Sequence, residues 1–254
     1  MRKISIIILI AFCCISLNIN DSHAIKSMMA KGSDCSFYTK NDNFLLAMSW
    51  QEGFCASQGK YKPECKALKD GRLKLNGFIL HGLWPSSKRC NTSFCEVKKM
   101  RNFCDYSPLN LNENVSNELK KIMPSYKYGS CLERHEWNKH GSCSLFDENQ
   151  YFDLASSLVE EFNNSEFNKF IIENKGKSIE LNEMRTKFVE VFHVKNPNDI
   201  GFRCSRDGKN TLVEIWMPLP AKVKKGDSLY DLIPKIDDTV STTCSKSKPI
   251  NIVA

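Results

Sequence analysis

The sequence predicts a single α+β domain, and three observations carry that reading. Segments with helical spacing and segments with strand character both occur. They do not alternate as regular β-α-β units, and no internal repeat or linker divides them. With 254 residues and 41% hydrophobic content, the chain can build one sizeable core, and no region is polar or repetitive enough to be disordered as a whole.

The first 24 residues stand apart from the fold. Arg2 and Lys3 form a positive head, Ile4 to Ile15 is a nearly unbroken apolar run, and Ser22-His23-Ala24 puts small residues where a signal peptidase reads them. This is the layout of a secretory signal peptide (1–24) cut after Ala24, with 25–254 as the mature domain. A membrane anchor is the competing reading, but the run falls short of the roughly 20 residues that span a bilayer. A lipoprotein signal at Cys13 and Cys14 is disfavoured by the bulky Phe12 before them. No later stretch is long and apolar enough to span, so a secreted or periplasmic protein, off the membrane, is expected.

Along the mature chain, Phe44–Trp50 and Leu75–Leu80 read as strands, apolar and free of proline. Asn112–Met123 has helical spacing and is stopped by Pro124. Cys131–Cys143, if helical, ends at Gly141 as a C-terminal cap. Tyr151–Glu173 repeats apolar residues at helical intervals with a break at Asn163-Asn164. Leu212, Glu214 and Trp216 alternate with Val213, Ile215 and Met217, a half-buried strand before Pro218.

Of twelve cysteines, ten follow the signal segment: Cys35, Cys55, Cys65, Cys90, Cys95, Cys104, Cys131, Cys143, Cys204 and Cys244. An even number in an exported chain implies disulfides, and the scatter without any C-x-x-C pair argues against zinc. The net charge is +7, with +1 of it in the signal segment (Arg2, Lys3, Asp21). A positive excess suits a polyanion such as nucleic acid, although a solvated lysine-rich surface gives the same sum. Asn91-Thr92-Ser93, Asn114-Val115-Ser116 and Asn163-Asn164-Ser165 match glycosylation acceptors.

Histidine is scarce, and three of the four mature histidines fall in two unusual patches. In Gly77–Pro85 an apolar strand delivers His81 directly into Gly82, with Trp84 and Pro85 behind it. That arrangement holds an imidazole at a strand end beside a flat aromatic surface. A lone histidine there would read as core packing. The second patch runs Cys131-Leu132-Glu133-Arg134-His135-Glu136-Trp137-Asn138-Lys139-His140-Gly141-Ser142-Cys143. On a helix, Glu136 and His140 share a face, as do His135 and Lys139, so two imidazoles, a carboxylate and an ammonium converge. His-Glu also opens the zinc-peptidase motif, but that motif needs its second histidine four residues on, and His140 follows His135 by five, which swings it well to the side of the helix. His193 lies outside both patches and reads as structural or surface.

His81-Gly82-Leu83-Trp84-Pro85 and His135–Cys143 resemble the two active-site segments of the T2 ribonucleases, in that order and separation. The Cys131-Leu132-Glu133-Arg134 lead-in is closer to bacterial members. The resemblance implies a central antiparallel sheet flanked by helices and stapled by disulfides, Cys104–Cys143 and Cys204–Cys244 among them. It implies metal-independent cleavage of single-stranded RNA, with no cofactor, by a monomer. His140 would be the general base, His81 the general acid, Lys139 the charge stabiliser, Glu136 the orienting group, His135 a phosphate contact and Trp84 a stacking face for a base. Members often carry glutamine before the early-strand tryptophan, whereas Ser49 precedes Trp50 here, so base contacts do not carry over from that position. The competing functions are a secreted zinc hydrolase and a catalytically silent RNA-binding protein.

Overall fold

The computed structural model describes residues 43–87, 92–235 and 239–254. The predicted signal peptide, Cys35, Cys90 and Asn91 lie outside them. Four strands form the main sheet: β1 (Asn43–Ser49), β2 (Ile79–Ser86), β4 (Gly201–Cys204) and β5 (Leu212–Pro220), in the order β2-β1-β5-β4 with every pairing antiparallel. A second, two-stranded sheet pairs β3 (Ser178–Ile179) with β6 (Ile250–Asn251).

Strand periodicity decides what each face of the main sheet does. Phe44, Leu46 and Met48 of β1, Leu80 and Leu83 of β2, and Ile215, Met217 and Leu219 of β5 are buried on one face. Helices cover that face: α6 (Glu148–Asn163), α7 (Glu166–Glu173) and α8 (Leu181–Phe192) contribute Phe152, Phe162, Phe167, Phe188 and Phe192 to the core. Burial of each such side chain contributes about 1.5–3 kcal/mol. The alternate positions His81, Trp84, Glu214, Trp216 and Arg203 face the other way and are half-buried. Where β1 runs between His81 and Glu214, that face carries Ala47 and Ser49, small enough for side chains on β2 and β5 to meet above them.

The expected helices form with local causes. Asn112 caps α3 (Glu113–Ile122) by accepting a hydrogen bond from the Val115 amide, and Pro124 opens the short α4 (Pro124–Lys127). The break between α6 and α7 falls where the two asparagines predicted it, and Asn163 explains part of it. Its amide group accepts from the Phe78 N–H (2.8 Å) and donates to the Phe78 carbonyl (2.7 Å), tying the helix end to the start of β2. The sequon at Asn163 is thus engaged in the fold.

Three expectations need correction. The second strand runs 79–86 rather than 75–80, so His81 sits inside it and not at its end. A bulge makes this possible: Ala47 pairs with Gly82 and Met48 with Leu80, leaving His81 as the extra residue. Helix α5 (Leu132–Lys139) is capped one residue before the predicted Gly141, with His140 as its C-cap and a 3-10 turn over Gly141–Cys143. Gly141 lies flat on the Trp137 ring instead, where a Cβ would meet the indole at 2.3 Å. Finally, Cys143 pairs with Cys95 and Cys104 with Cys131, so the Cys104–Cys143 bridge does not form. Cys131 and Cys143 flank a helix about 12 Å long. Cys104, held beside Cys131, is out of reach of Cys143. Cys204–Cys244 forms as expected, and Cys55–Cys65 joins α1 (Gln51–Ser57) to α2 (Pro63–Lys69).

Candidate active site

The bulge turns both His81 and Gly82 toward the open sheet face, directly beneath α5. From that helix Glu136 descends onto the strand. Its carboxylate is buried and accepts a 2.6 Å hydrogen bond from the Trp84 indole N–H, while its other oxygen lies 3.5 Å from His81 Nε2. On the opposite side of His81, Nδ1 lies 2.6 Å from Glu214 Oε1. Glu214 is itself fixed by the Trp216 indole N–H (2.8 Å) and the Ser49 hydroxyl (3.4 Å). His81 is therefore held between two carboxylates, one from the helix and one from β5.

His140, at the end of α5, stacks on the Trp84 ring at 5.1 Å and 25°, and His81 meets the same ring edge-on at 5.1 Å. The two imidazoles from distant segments thus share one indole. Their electrostatic settings are opposite. Burial alone would depress His81, but Glu214 and Glu136 outweigh it and raise its pKa to about 10. Burial also depresses His140, and there it prevails: Glu136 opposes it, the charges of Lys139, His135 and His81 reinforce it, and the pKa falls to about 4. The His140 Nδ1 is buried without a hydrogen-bond partner among the described residues. Glu136 and Glu214 are pushed up by burial and pulled down further by His81, ending below the usual carboxylate range. At neutral pH the site holds a charged His81 and a neutral His140.

The other predicted residues are placed less centrally. Lys139 is half-buried, and its carbonyl accepts from the Phe94 N–H (2.8 Å), docking the loop that carries Cys95 onto the helix end. His135 stacks on Phe103 at 4.1 Å, on a different side of α5 from His140, and burial lowers its pKa. The two histidines of the second patch therefore point apart, and the expected convergence of both imidazoles does not occur, because a spacing of five sets them on different sides of the helix. Among the described residues no group of three or more His, Cys, Asp or Glu side chains is arranged to hold a metal ion. Trp84 has one face against His140, so only its remaining surface is open to a base. Exposed His193 ends α8 and stands away from the site.

Glu214 was the residue sequence reasoning missed. Its signal was a carboxylate paired with a tryptophan on the polar side of an otherwise apolar strand. That signal identifies a partner only once His81 is known to reach across β1.

A profile of the Ribonuclease T2 family matches residues 41–250. The chain belongs to the Ribonuclease T2 family. Among curated relatives it is 28% identical to Ribonuclease I of Escherichia coli over 190 residues, covering 66% of this chain and 71% of that one. It is 30% identical to a ribonuclease of Aeromonas hydrophila over 132 residues, about half of each chain (52% and 49%). Two solved structures share the T2 fold. They are the self-incompatibility-associated SF11-RNase of Nicotiana alata (TM-score 0.59, 18% identity, 84% of this chain and 100% of that one) and an RNase MC1 mutant in complex with 5′-UMP (TM-score 0.56, 21% identity, 82% and 98%). The antiparallel sheet flanked by helices expected of the T2 fold is thus present, with four disulfides among the described residues.

Proposed function

We propose that this T2-type endoribonuclease cleaves single-stranded RNA without a metal ion, using neutral His140 as general base and protonated His81 as general acid. The observation that carries the reading is the pair of imidazoles in opposite protonation states against one indole. RNA brings its own nucleophile. His140 takes the proton of the ribose 2′-hydroxyl, the 2′-oxygen bonds to phosphorus, and the bond from phosphorus to the 5′-oxygen breaks as His81 donates its proton to that oxygen. Lys139 faces the negative charge that builds on the phosphorane. Glu136 holds Trp84 and His81 in register and so orients both transfers. His135 offers a further phosphate contact and the open surface of Trp84 a stacking platform.

The product is a 2′,3′-cyclic phosphate. In the second step water gives a proton to the now neutral His81 and attacks phosphorus. The bond to the 2′-oxygen breaks with the proton from His140, and a 3′-phosphate remains. DNA lacks the internal nucleophile and should survive. Incubating the purified chain with oligoribonucleotides in excess EDTA should give cyclic-phosphate and then 3′-phosphate ends. Loss of cleavage in chelator, restored by zinc, would favour a zinc hydrolase, and RNA bound but intact would favour a silent binding protein.

The chain acts as an exported monomer, in the periplasm or outside the cell. Support comes from the signal-like first 24 residues, from the disulfides, and from the finding that no helix among the described residues is long and apolar enough to cross a membrane. Mass analysis of the exported protein should show a chain beginning at Ile25, and retention of residues 1–24 would refute the cleavage site.

A further inference from the structure

The open face of the sheet does not end at the histidines. Beyond Glu214, a cavity of about 510 Å3 lies between β4, β5 and the end of α1, lined by Arg203, Arg206, Trp216, Glu214, Gln58 and Ser57 among others. Its floor is a stack: the Arg203 guanidinium lies 3.8 Å over the Trp216 ring, and its Nη1 donates to the Ser241 carbonyl (2.9 Å) and hydroxyl (3.2 Å). The plane of the guanidinium is therefore fixed, with its outer side toward the cavity. Arg206 is exposed on the turn that follows β4.

Two carboxylates also line the cavity, but both are committed. Glu214 is matched by the His81 imidazolium. Asp207 closes its own turn, accepting from the Ser205 hydroxyl (2.6 Å) and the Lys209 N–H (3.1 Å). What remains for a ligand is two guanidiniums and a planar cation-on-indole stack, the combination that binds phosphate and nucleobase together.

Position gives the polarity. Glu214 and Trp216 are shared between the cavity and the setting of His81, and on the proposed mechanism His81 serves the leaving 5′-oxygen. The cavity is therefore on the downstream side of the cut. From β2 to β4 is three strand spacings, about 14 Å, which calls for a nucleotide past the one that leaves. We propose that this cavity is a downstream RNA subsite, taking the phosphate of a nucleotide 3′ to the leaving nucleoside on Arg203 and Arg206 and its base on the Arg203–Trp216 stack. The inference rests on the endonuclease reading and on the acid role of His81. The alternative is that the Arg203–Trp216 pair only covers the outer strand β4.

Three substrates separate these readings: a dinucleoside phosphate, the same extended by three nucleotides at its 3′ end, and the same extended at its 5′ end. In the wild type the 3′ extension should raise kcat/KM. In Arg206→Ala, and in Arg203→Lys, which keeps the charge but loses the planar stack, that advantage should fall about tenfold, while the effect of the 5′ extension is retained. In Arg206→Ala the salt dependence of KM for the 3′-extended substrate should also become shallower, by about 0.7 in log–log slope for each phosphate no longer neutralised. An unaltered 3′ advantage in both variants, or an equal loss with the 5′ extension, would overturn the subsite while leaving the catalytic reading intact. Failure of the wild type to cut any of the three would sink the catalytic reading, and the subsite with it.

Discussion

Substituting His140 or His81 with Phe is expected to lower kcat/KM on RNA by about 10³-fold, within the range that general acid–base groups contribute, while leaving the fold largely in place. The expected pH dependence is more discriminating than the loss itself. The kcat/KM profile reports the free enzyme, so its acid limb follows His140, which must be neutral, and its alkaline limb follows His81, which must be protonated. With the two held at about 4 and about 10, activity should form a broad plateau between those values. Glu214→Gln tests the cause. It removes one of the two carboxylates that hold the proton on His81, so the alkaline limb should move toward neutrality and the loss should be larger at pH 9 than at pH 6. The acid limb should stay in place, because Glu214 does not touch His140. A variant whose two limbs are unmoved, or a His140→Phe enzyme with near wild-type rate, would refute this division of roles.

How far this site could be read from the sequence depended on whether the information was local. His81-Gly82 and the run from His135 to His140 each carry their chemistry within a few residues, so both were legible, and the helical offset of five correctly placed His135 and His140 on different sides of α5. The break at Asn163-Asn164 and the helix stopped by Pro124 were legible for the same reason. The register of β2 was not. Its bulge is set by pairing with Ala47 and Met48, more than thirty residues earlier, and no local pattern around His81 announces an extra residue. Glu214 was hidden for a related cause, since only the smallness of Ala47 and Ser49 lets it meet His81 across the intervening strand. The disulfides show the same limit: the pairing of Cys143 follows from which loop docks on the end of α5, and Cys95 arrives there with Phe94.

Gly82→Ala should lower both stability and rate. The usual reason for glycine does not apply here, because Gly82 does not adopt a positive φ. In a strand, alanine would normally be favoured over glycine by about 0.5–1 kcal/mol. The obstacle is what lies against the strand. A Cβ at position 82 would fall 2.1 Å from Glu136 Oε2 and 2.4 Å from Trp84 Nε1, between the two ends of their hydrogen bond. Neither partner is a flexible tip: Glu136 is buried, and Trp84 is packed by both imidazoles and Trp216. Admitting the methyl opens a hydrogen bond to a buried charge, which costs about 1.5–3 kcal/mol, so the clash outweighs the strand preference. Because Glu136 also sets the position of His81, kcat/KM should fall by about 10²-fold, the scale of a misplacement near 1 Å. Thermal melting together with kinetics would measure both effects. Glu136→Ala supplies the control, since without the carboxylate the added methyl should cost much less, a coupling that a double-mutant cycle reads directly. If Gly82→Ala matches the wild type in melting temperature and rate, the hydrogen bond between Trp84 and Glu136 does not hold this site together.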